Sequence, residues 1–373
     1  MKYYLIAGEA SGDLHASNLM KALKQQDPKA DFRFWGGDLM QKEGGKLVKH
    51  YRELAFMGFV EVLFNLRTIL KNMKLCKKDI SVYQPDVIIF IDYPGFNFRI
   101  AEWARKEGYK THYYISPQIW AWKENRIKAI KRDVDEMYVI LPFEKDFYEK
   151  KHNFPVHFVG HPLLDAIENR KEISFEKFTE QHGLTSQPII ALLPGSRKQE
   201  ITKMLSTMLQ LTKDFSDYQF VIAGAPSQDK EFYEPFLKKS NVSLLMNKTY
   251  DLLSVASAAL VTSGTATLET ALFNVPEVVC YKGSTISYEI AKRVINLDYI
   301  SLVNLIMDKE VVKELIQHDF NVKNLKAELS KILDEKHREQ LFEDYKLLRQ
   351  KLGGTGASQN TAQLIYKKIK SDA

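Results

Sequence analysis

The feature that most constrains this chain is an alternation repeated along its length: short β-rich runs, each followed by a stretch with apolar residues at helical spacing. The first series of runs is YYLIA (3–7), FRFWG (32–36), VIIFID (87–92), THYYIS (111–116), EMYVIL (136–141) and VHFVG (156–160). After the first run, Ala16, Leu19, Met20 and Leu23 fall at i, i+3, i+4 and i+7, one face of a helix. A second series follows with PIIALLPG (188–195), QFVIAGA (219–225), VSLL (242–245), AALVTSG (258–264) and PEVVCYKG (276–283). Strands alternating with helices predict parallel β-α-β units, so the chain reads as two doubly wound α/β halves.

Length agrees with two halves, since 373 residues is about twice the usual domain size. The join falls near VGHPLLDAI (159–167), where Gly160 and Pro162 break any helix. The reading is a first domain over 1–165, a second over 166–352, and a last helix over 353–373 beyond Gly353-Gly354-Thr355-Gly356. That helix is free to return to the first domain or to reach a partner subunit in a homodimer.

Composition narrows the class further. With 45% hydrophobic and 27% charged residues, the chain is an ordered globular protein rather than a disordered one. No period of 20 to 50 residues marks a solenoid. Cys76 and Cys280 stand far apart without a partner motif, which excludes a disulfide framework and a thiolate zinc site and fits a reducing compartment. The reading begins directly with a strand and shows no apolar leader, so a cytoplasmic location is expected. The net charge of +6 attracts phosphate, anionic lipid or nucleic acid alike. No nucleic-acid motif accompanies it, and no nucleic-acid partner is expected.

Ligands of doubly wound sheets bind outside the carboxyl ends of the strands, so the residues after each strand are the candidates. In the first half these are Gly8, Glu9, Ser11, Gly12, Asp13 and His15, then Asp92, then Ser116 and Gln118. The loop LIAGEASGDLHAS (5–17) invites a dinucleotide reading, but its glycines lack the G-x-G-x-x-G spacing and its carboxylates would repel a phosphate. It remains either a tight turn with Ser11 or Asp13 capping the helix, or a wall whose carboxylates meet sugar hydroxyls. Asp92 ends a buried run, where a carboxylate is tolerated only if it reaches the edge. It is a candidate general base, or a turn-stabilising Asp before Tyr93-Pro94-Gly95.

The second half offers anion contacts. TSGTATLE (262–269) follows an apolar strand and opens a helix, so amides near Gly264, Thr265 and Ala266 can point at a phosphate, with Ser263 in the same UDP-binding stretch. Glu269 can accept from ribose hydroxyls, or it simply favours the helix dipole. In LLPGSR, Gly195 and Ser196 deliver Arg197, which can pair with a diphosphate or stay solvated. Gly224 ends the next strand of this edge.

Two other stretches need a reading. Asp133-Val134-Asp135 matches a D-x-D metal pattern but precedes its strand, away from the ligand edge. With no clustered histidines either, no metal is expected. ELAFMGFVEVLFNLRTILKNMKLCKK (53–78) joins a wide apolar arc, including Phe56, Met57, Phe59, Val62, Leu63, Phe64 and Leu66, to Arg67, Lys71, Lys74, Lys77 and Lys78. Too short to span a bilayer, it is either a membrane-surface or acyl-chain contact or a buried core helix.

Taken together, AGEASGD (7–13), ELAFMGFVEVL (53–63), IDYPGFN (91–97), ISPQIWAWK (115–123), LPFEKDFY (141–148), FVGHPLLD (158–165), LLPGSR (192–197), SGTATLE (263–269) and YISLVNLI (299–306) closely resemble the lipid-A-disaccharide synthase family. The match is collinear over nearly the whole chain. The resemblance implies a GT-B fold, two Rossmann-like doubly wound domains facing a central crevice. It implies inverting transfer of 2,3-diacylglucosamine from its UDP derivative to 2,3-diacylglucosamine 1-phosphate, giving a β-1,6 disaccharide and UDP without cofactor or metal. It also implies an enzyme held peripherally at the inner membrane, with UDP on the second domain. Asn304, in SLVNL, matches a family motif and is expected at the donor site. The chain departs from the family at Gly95, where many members have a second Asp, and at Ala16, where many have Gly. Asp92 is then the sole base of that stretch, with Glu9 and His15 next in line. The alternative is a UDP-sugar 2-epimerase on the same scaffold, which has no use for the apolar-basic stretch. A third reading is a non-catalytic lipid or nucleotide carrier.

Overall fold

Runs such as VIIFI and IIALL are apolar at every position, the pattern of strands covered by helices on both faces. The computed structural model describes residues 1–54, 66–168, 170, 172–238, 240–283 and 298–372. Phe56, Met57, Phe59, Val62, Leu63 and Phe64, and the side chain of Leu66, lie outside the described residues.

The chain divides into two units, Met1–Asp165 with Leu352–Ala373, and Ala166–Lys351. In the first, strands β1 (Lys2–Ala7), β2 (Asp31–Gly36), β3 (Lys46–His50), β4 (Val87–Ile91), β5 (Thr111–Tyr114), β6 (Glu136–Val139) and β7 (His157–Phe158) form one sheet in the order β3-β2-β1-β4-β5-β6-β7. In the second, β8 (Ile189–Leu193), β9 (Gln219–Gly224), β10 (Val242–Met246), β11 (Ala256–Thr262), β12 (Glu277–Tyr281) and β13 (Lys313–Ile316) form another in the order β10-β9-β8-β11-β12-β13. All pairings are parallel, for example Tyr3 opposite both Phe32 and Val87, and Ile190 opposite both Phe220 and Ala258.

Central strands β4 and β8 are buried at every position. Alternate side chains enter a core on one sheet face, Ile88 and Phe90 with Tyr4, Trp35 and Ile100 in the first unit and Ile190 and Leu192 with Leu205, Phe220 and Leu329 in the second. Ile189 and Ala191 pack with Phe178 and Leu252 on the other face of the second sheet. The edge strands β3 (KLVKH) and β13 (KELI) escape the apolar pattern because edge strands need charged residues to avoid pairing with another chain.

The helix Ala357–Ser371 belongs to the first unit, where it packs on the helix Ala10–Gln26. Asp165 accepts from the amides of Gly356 (2.6 Å) and Ser358 (3.1 Å) at its start. Gly353 lies against Gly160, where an added Cβ would sit 3.3 Å from Gly160 Cα.

Candidate active site

In both sheets the strand order reverses once, between β1 and β4 and between β8 and β11. At such a switch point the loops leave in opposite directions and open a crevice at the carboxyl ends.

At the first switch point Gly8 and Glu9 follow β1, and Asp92 and Tyr93 follow β4. Asp92 (φ 44°) and Tyr93 (φ 48°) are both left-handed, as is Ile115 (φ 64°) after β5. Non-glycine residues in that region store about 1–3 kcal/mol each and persist only where the surroundings hold them. The carbonyl of Asp92 accepts from Tyr113 Oη at 2.6 Å and from Asn97 Nδ2 at 2.7 Å. Tyr113 and Asn97 are fully buried. Gly8 permits the arrangement, because a Cβ there would lie 2.3 Å from the Tyr93 ring. Burial, and then the charge of Glu9, push the Asp92 carboxyl up to about 6. Glu9 itself is exposed, as are Ser11 and Gln118.

Several residues expected at this edge serve the scaffold instead. The Asp13 carboxylate is buried and accepts from the amides of Gly37 (2.7 Å), Leu39 (3.0 Å) and Met40 (3.1 Å). It anchors the start of the helix Asp38–Lys42 rather than lining an acceptor wall. Gly12 is a packing glycine, with Ala7 Cβ 3.2 Å from where its own Cβ would be. Ser116 is buried and donates to Glu144 Oε1 at 2.6 Å. His15 is half-buried, its Nδ1 has no hydrogen-bond partner among the described residues, and desolvation lowers its pKa to about 4, which favours the neutral imidazole.

Sequence reasoning missed Glu144, which also accepts from Trp120 Nε1 and the amides of Ile140 and Leu141. Burial pushes its carboxyl up to about 7, and it fastens the 115–120 loop to the helix Pro142–Asp146. The signal was present: proline at the first helical position with an acid two residues on marks a helix start.

At the second switch point the loops after β9, β8 and β11 are neighbours. Gly195 is left-handed (φ 105°), and a Cβ built there would lie 3.1 Å from Glu200 Oε2 and 3.3 Å from Thr262 Cγ2, so backbone and space both favour glycine. The carbonyl of Ser196 accepts from Ser227 Oγ (2.9 Å) and Gln228 Nε2 (2.8 Å), tying the loop to the one after β9. Arg197 is exposed, with a loose contact to Glu200 at 3.4 Å. Gly264 and Thr265, also exposed, open the helix Thr265–Leu272, and Ser263 Oγ donates to the Ile300 carbonyl. Glu269 accepts from Tyr250 Oη at 3.0 Å, and burial raises its pKa.

Two expected donor residues are explained otherwise. Asn304 is fully buried: its Oδ1 accepts from the amides of Val311 and Val312, and its Nδ2 donates to Val312 O and Glu314 Oε1. Both polar atoms of its side chain are engaged, bracing the 308–312 turn and Glu314 of β13, which leaves none for UDP. Gly224 is small because Met246, opposite it on β10, covers it.

The D-x-D pair is likewise structural, Asp133 being held by Arg132 and Asp135 by Thr111. Among the described residues no group of three or more His, Cys, Asp or Glu could hold a metal.

Two Rossmann-like units, each with polar loops at its switch point, define a GT-B enzyme. Solved structures agree on that fold: the chain is 14% identical to UDP-GlcNAc 2-epimerase from Neisseria meningitidis bound to UDP-GlcNAc (TM-score 0.66, covering 100% of both chains). It is 12% identical to the kitacinnamycin glycotransferase (TM-score 0.67, covering 99% of both). The chain belongs to the lipid-A-disaccharide synthetase family, whose model matches residues 3–368. It is 40% identical to the lipid-A-disaccharide synthase of Syntrophus aciditrophicus, covering 98% of this chain and 97% of that one. The synthases of Geobacter metallireducens (39%) and Coxiella burnetii (38%) match over 98% of this chain as well.

Proposed function

We propose that this enzyme transfers 2,3-diacylglucosamine from UDP-2,3-diacylglucosamine to 2,3-diacylglucosamine 1-phosphate, with inversion, forming the β-1,6 disaccharide and UDP. Asp92 is the general base that takes the proton of the acceptor 6-hydroxyl as that oxygen attacks the anomeric carbon. The observation that carries this is the placement of Asp92: at a switch point, in a braced left-handed backbone, with its carboxyl pushed up to about 6. A base titrating near the working pH is both ionised and able to hold a proton. Such catalysis typically supplies about 10²–10⁴-fold. Positioning and anion stabilisation supply the rest, and Arg197 with the amides at the start of the helix Thr265–Leu272 are suited to the departing diphosphate. Glu269 is suited to the ribose hydroxyls.

The enzyme works at a membrane surface without crossing it. No described helix is long and apolar enough to span a bilayer. On the helix Leu66–Tyr83, exposed Arg67, Lys71, Lys74 and Lys78 stand beside exposed Leu70 and Leu75, a combination that favours an anionic lipid surface.

The test incubates purified protein with the UDP-linked donor, with and without the acceptor phosphate. Disaccharide and UDP are expected only when both are present. Conversion of UDP-GlcNAc in the absence of lipid would support an epimerase instead, and tight binding without turnover would support a carrier. Flotation with vesicles containing anionic lipid checks the membrane step.

A further inference from the structure

The first unit contains a cavity of about 240 Å³ that neither the base nor the scaffold residues explain. Ile69 and Met73 of the helix Leu66–Tyr83 form one wall, and Phe96 with Tyr93 forms another. Asn72 contributes the amide among these apolar groups. Its size falls below the roughly 300–1,000 Å³ of sites that enclose a whole small molecule. An apolar recess of this size suits one limb of a larger ligand, and an alkyl limb in particular.

Two residues of the helix Pro94–Lys106, one turn apart, give the recess its character. Gly95 lines it, and a Cβ built there would meet nothing within 4 Å, so the missing side chain is what leaves the space open. Arg99 also lines it, is exposed, and makes no ion pair or hydrogen bond among the described residues. An unpaired guanidinium at the mouth of an apolar recess is a ready partner for a phosphate. The wall nearest the base is fixed, because the Tyr93 ring rests against Gly8 and stacks on Phe96 at 5.8 Å.

We propose that this recess takes the acyl chain on C2 of the acceptor and that Arg99 pairs with the phosphate on C1. This rests on the acceptor named above. Its chemistry fits the layout: phosphate and C2 chain leave neighbouring ring carbons, while the reacting 6-hydroxyl lies across the ring, free to approach Asp92. Gly95 therefore sets how much chain the recess accepts.

The experiment compares the KM of four acceptors, with long or shortened acyl chains and with or without the phosphate, for wild type, Gly95→Leu and Arg99→Ala. Leu is a better helix former than Gly, and Gly95 has no positive φ; thermal melts of both variants are recorded alongside. For Gly95→Leu, KM for the long-chain acceptor is expected to rise about tenfold or more, with little change for the shortened one. For Arg99→Ala, loss of a charge-assisted bond is expected to raise KM about tenfold for the phosphorylated acceptor and to leave the unphosphorylated one unchanged. Equal effects on long and short chains would remove the acyl recess, and equal effects with and without phosphate would remove the role of Arg99. Both outcomes leave the reaction itself standing. Failure of the wild-type protein to make disaccharide from any acceptor would sink the proposed reaction, and this ligand with it.

Discussion

Asp92 concentrates two demands that oppose each other: catalysis wants an ionised carboxylate, and burial beside Glu9 resists one. Because the folded pKa is raised from 3.8 to about 6, the folded state binds the proton more tightly than the unfolded chain. The stability this gives is complete below about pH 4 and is lost as pH rises through 6. Asp92→Asn, which keeps a residue that tolerates a left-handed backbone, is expected to abolish turnover. In urea melts at pH 8 it should be more stable than wild type by roughly 2–3 kcal/mol, with the gain gone near pH 4. The same pKa places the acidic limb of kcat/KM near 6, and Glu9→Gln, by removing a negative charge, should move that limb to lower pH. A limb that stays in place in Glu9→Gln would show that burial alone sets it. Tyr113→Phe removes the 2.6 Å bond to the Asp92 carbonyl while leaving the carboxyl untouched. Misplacement of the base should lower kcat roughly ten- to hundredfold, with KM within a few-fold and the melting temperature little changed.

Elements explain which site residues could be read from the sequence. The alternation of strands and helices put the strand-end candidates on the carboxyl edge, and the glycines at 8 and 195 stand where close approach or a left-handed turn favours them. What the sequence could not tell was which polar side chains are already consumed. Asp13 answers amides 24 to 27 residues away, and Ser116 answers a carboxylate 28 away. Asn304 is satisfied by a turn that its own helix leads into. A partner supplied by another element leaves no periodic trace, so a scaffold Asp and a substrate-binding Asp look alike until the chain is folded. Gly95 illustrates the converse, a departure from the family pattern that acquires meaning only once the helix beside it is placed. Asn304→Ala strips the part-buried amide of Val311 and the buried amide of Val312 of their acceptor and removes one donor from Glu314, which keeps the amides of Ile300 and Ser301; each buried group left unsatisfied costs about 1–3 kcal/mol. The expected result is a melting temperature lower by several degrees with UDP affinity, measured by calorimetry, nearly unchanged. A large loss of UDP binding in a well-folded Asn304→Ala protein would return the residue to the donor site.

At the scale of the molecule, each unit has its own sheet and its own core, and their buried ionisable groups give them opposite responses to pH. The first unit buries His112 and His161 and half-buries His15, and desolvation lowers the pKa values of His15, His112 and His161 to about 4, 4 and 3. Two of these lie by the anchor of the last helix: His161 donates its backbone N–H to Leu352 O, and His15 senses the charge of Asp165. An unfolded histidine takes up its proton near 6.5. Stability that depends on these three neutral rings is therefore present above 6.5 and lost as pH falls toward 4. Asp92 and Glu144, with raised pKa values, act in the other sense in this unit but are outnumbered. The second unit buries Glu277 at the start of β12 with both oxygens lacking hydrogen-bond partners among the described residues, near Glu314 of β13 and Tyr345 of the helix Glu335–Lys351. Burial, and then Glu314, raise its pKa, so it is held as a neutral acid, and its contribution is lost as pH rises rather than falls. Hydrogen exchange read separately over the two sheets at pH 5, 7 and 9 separates these terms. On acidification, protection should fall first in the helices Ala10–Gln26 and Ala357–Ser371. On alkalinisation it should fall first in β12 and β13, and Glu277→Gln should remove that alkaline loss while leaving the acid response of the first unit intact. If both units lost protection together at both extremes, the buried histidines and Glu277 would not be what sets the pH range of the fold.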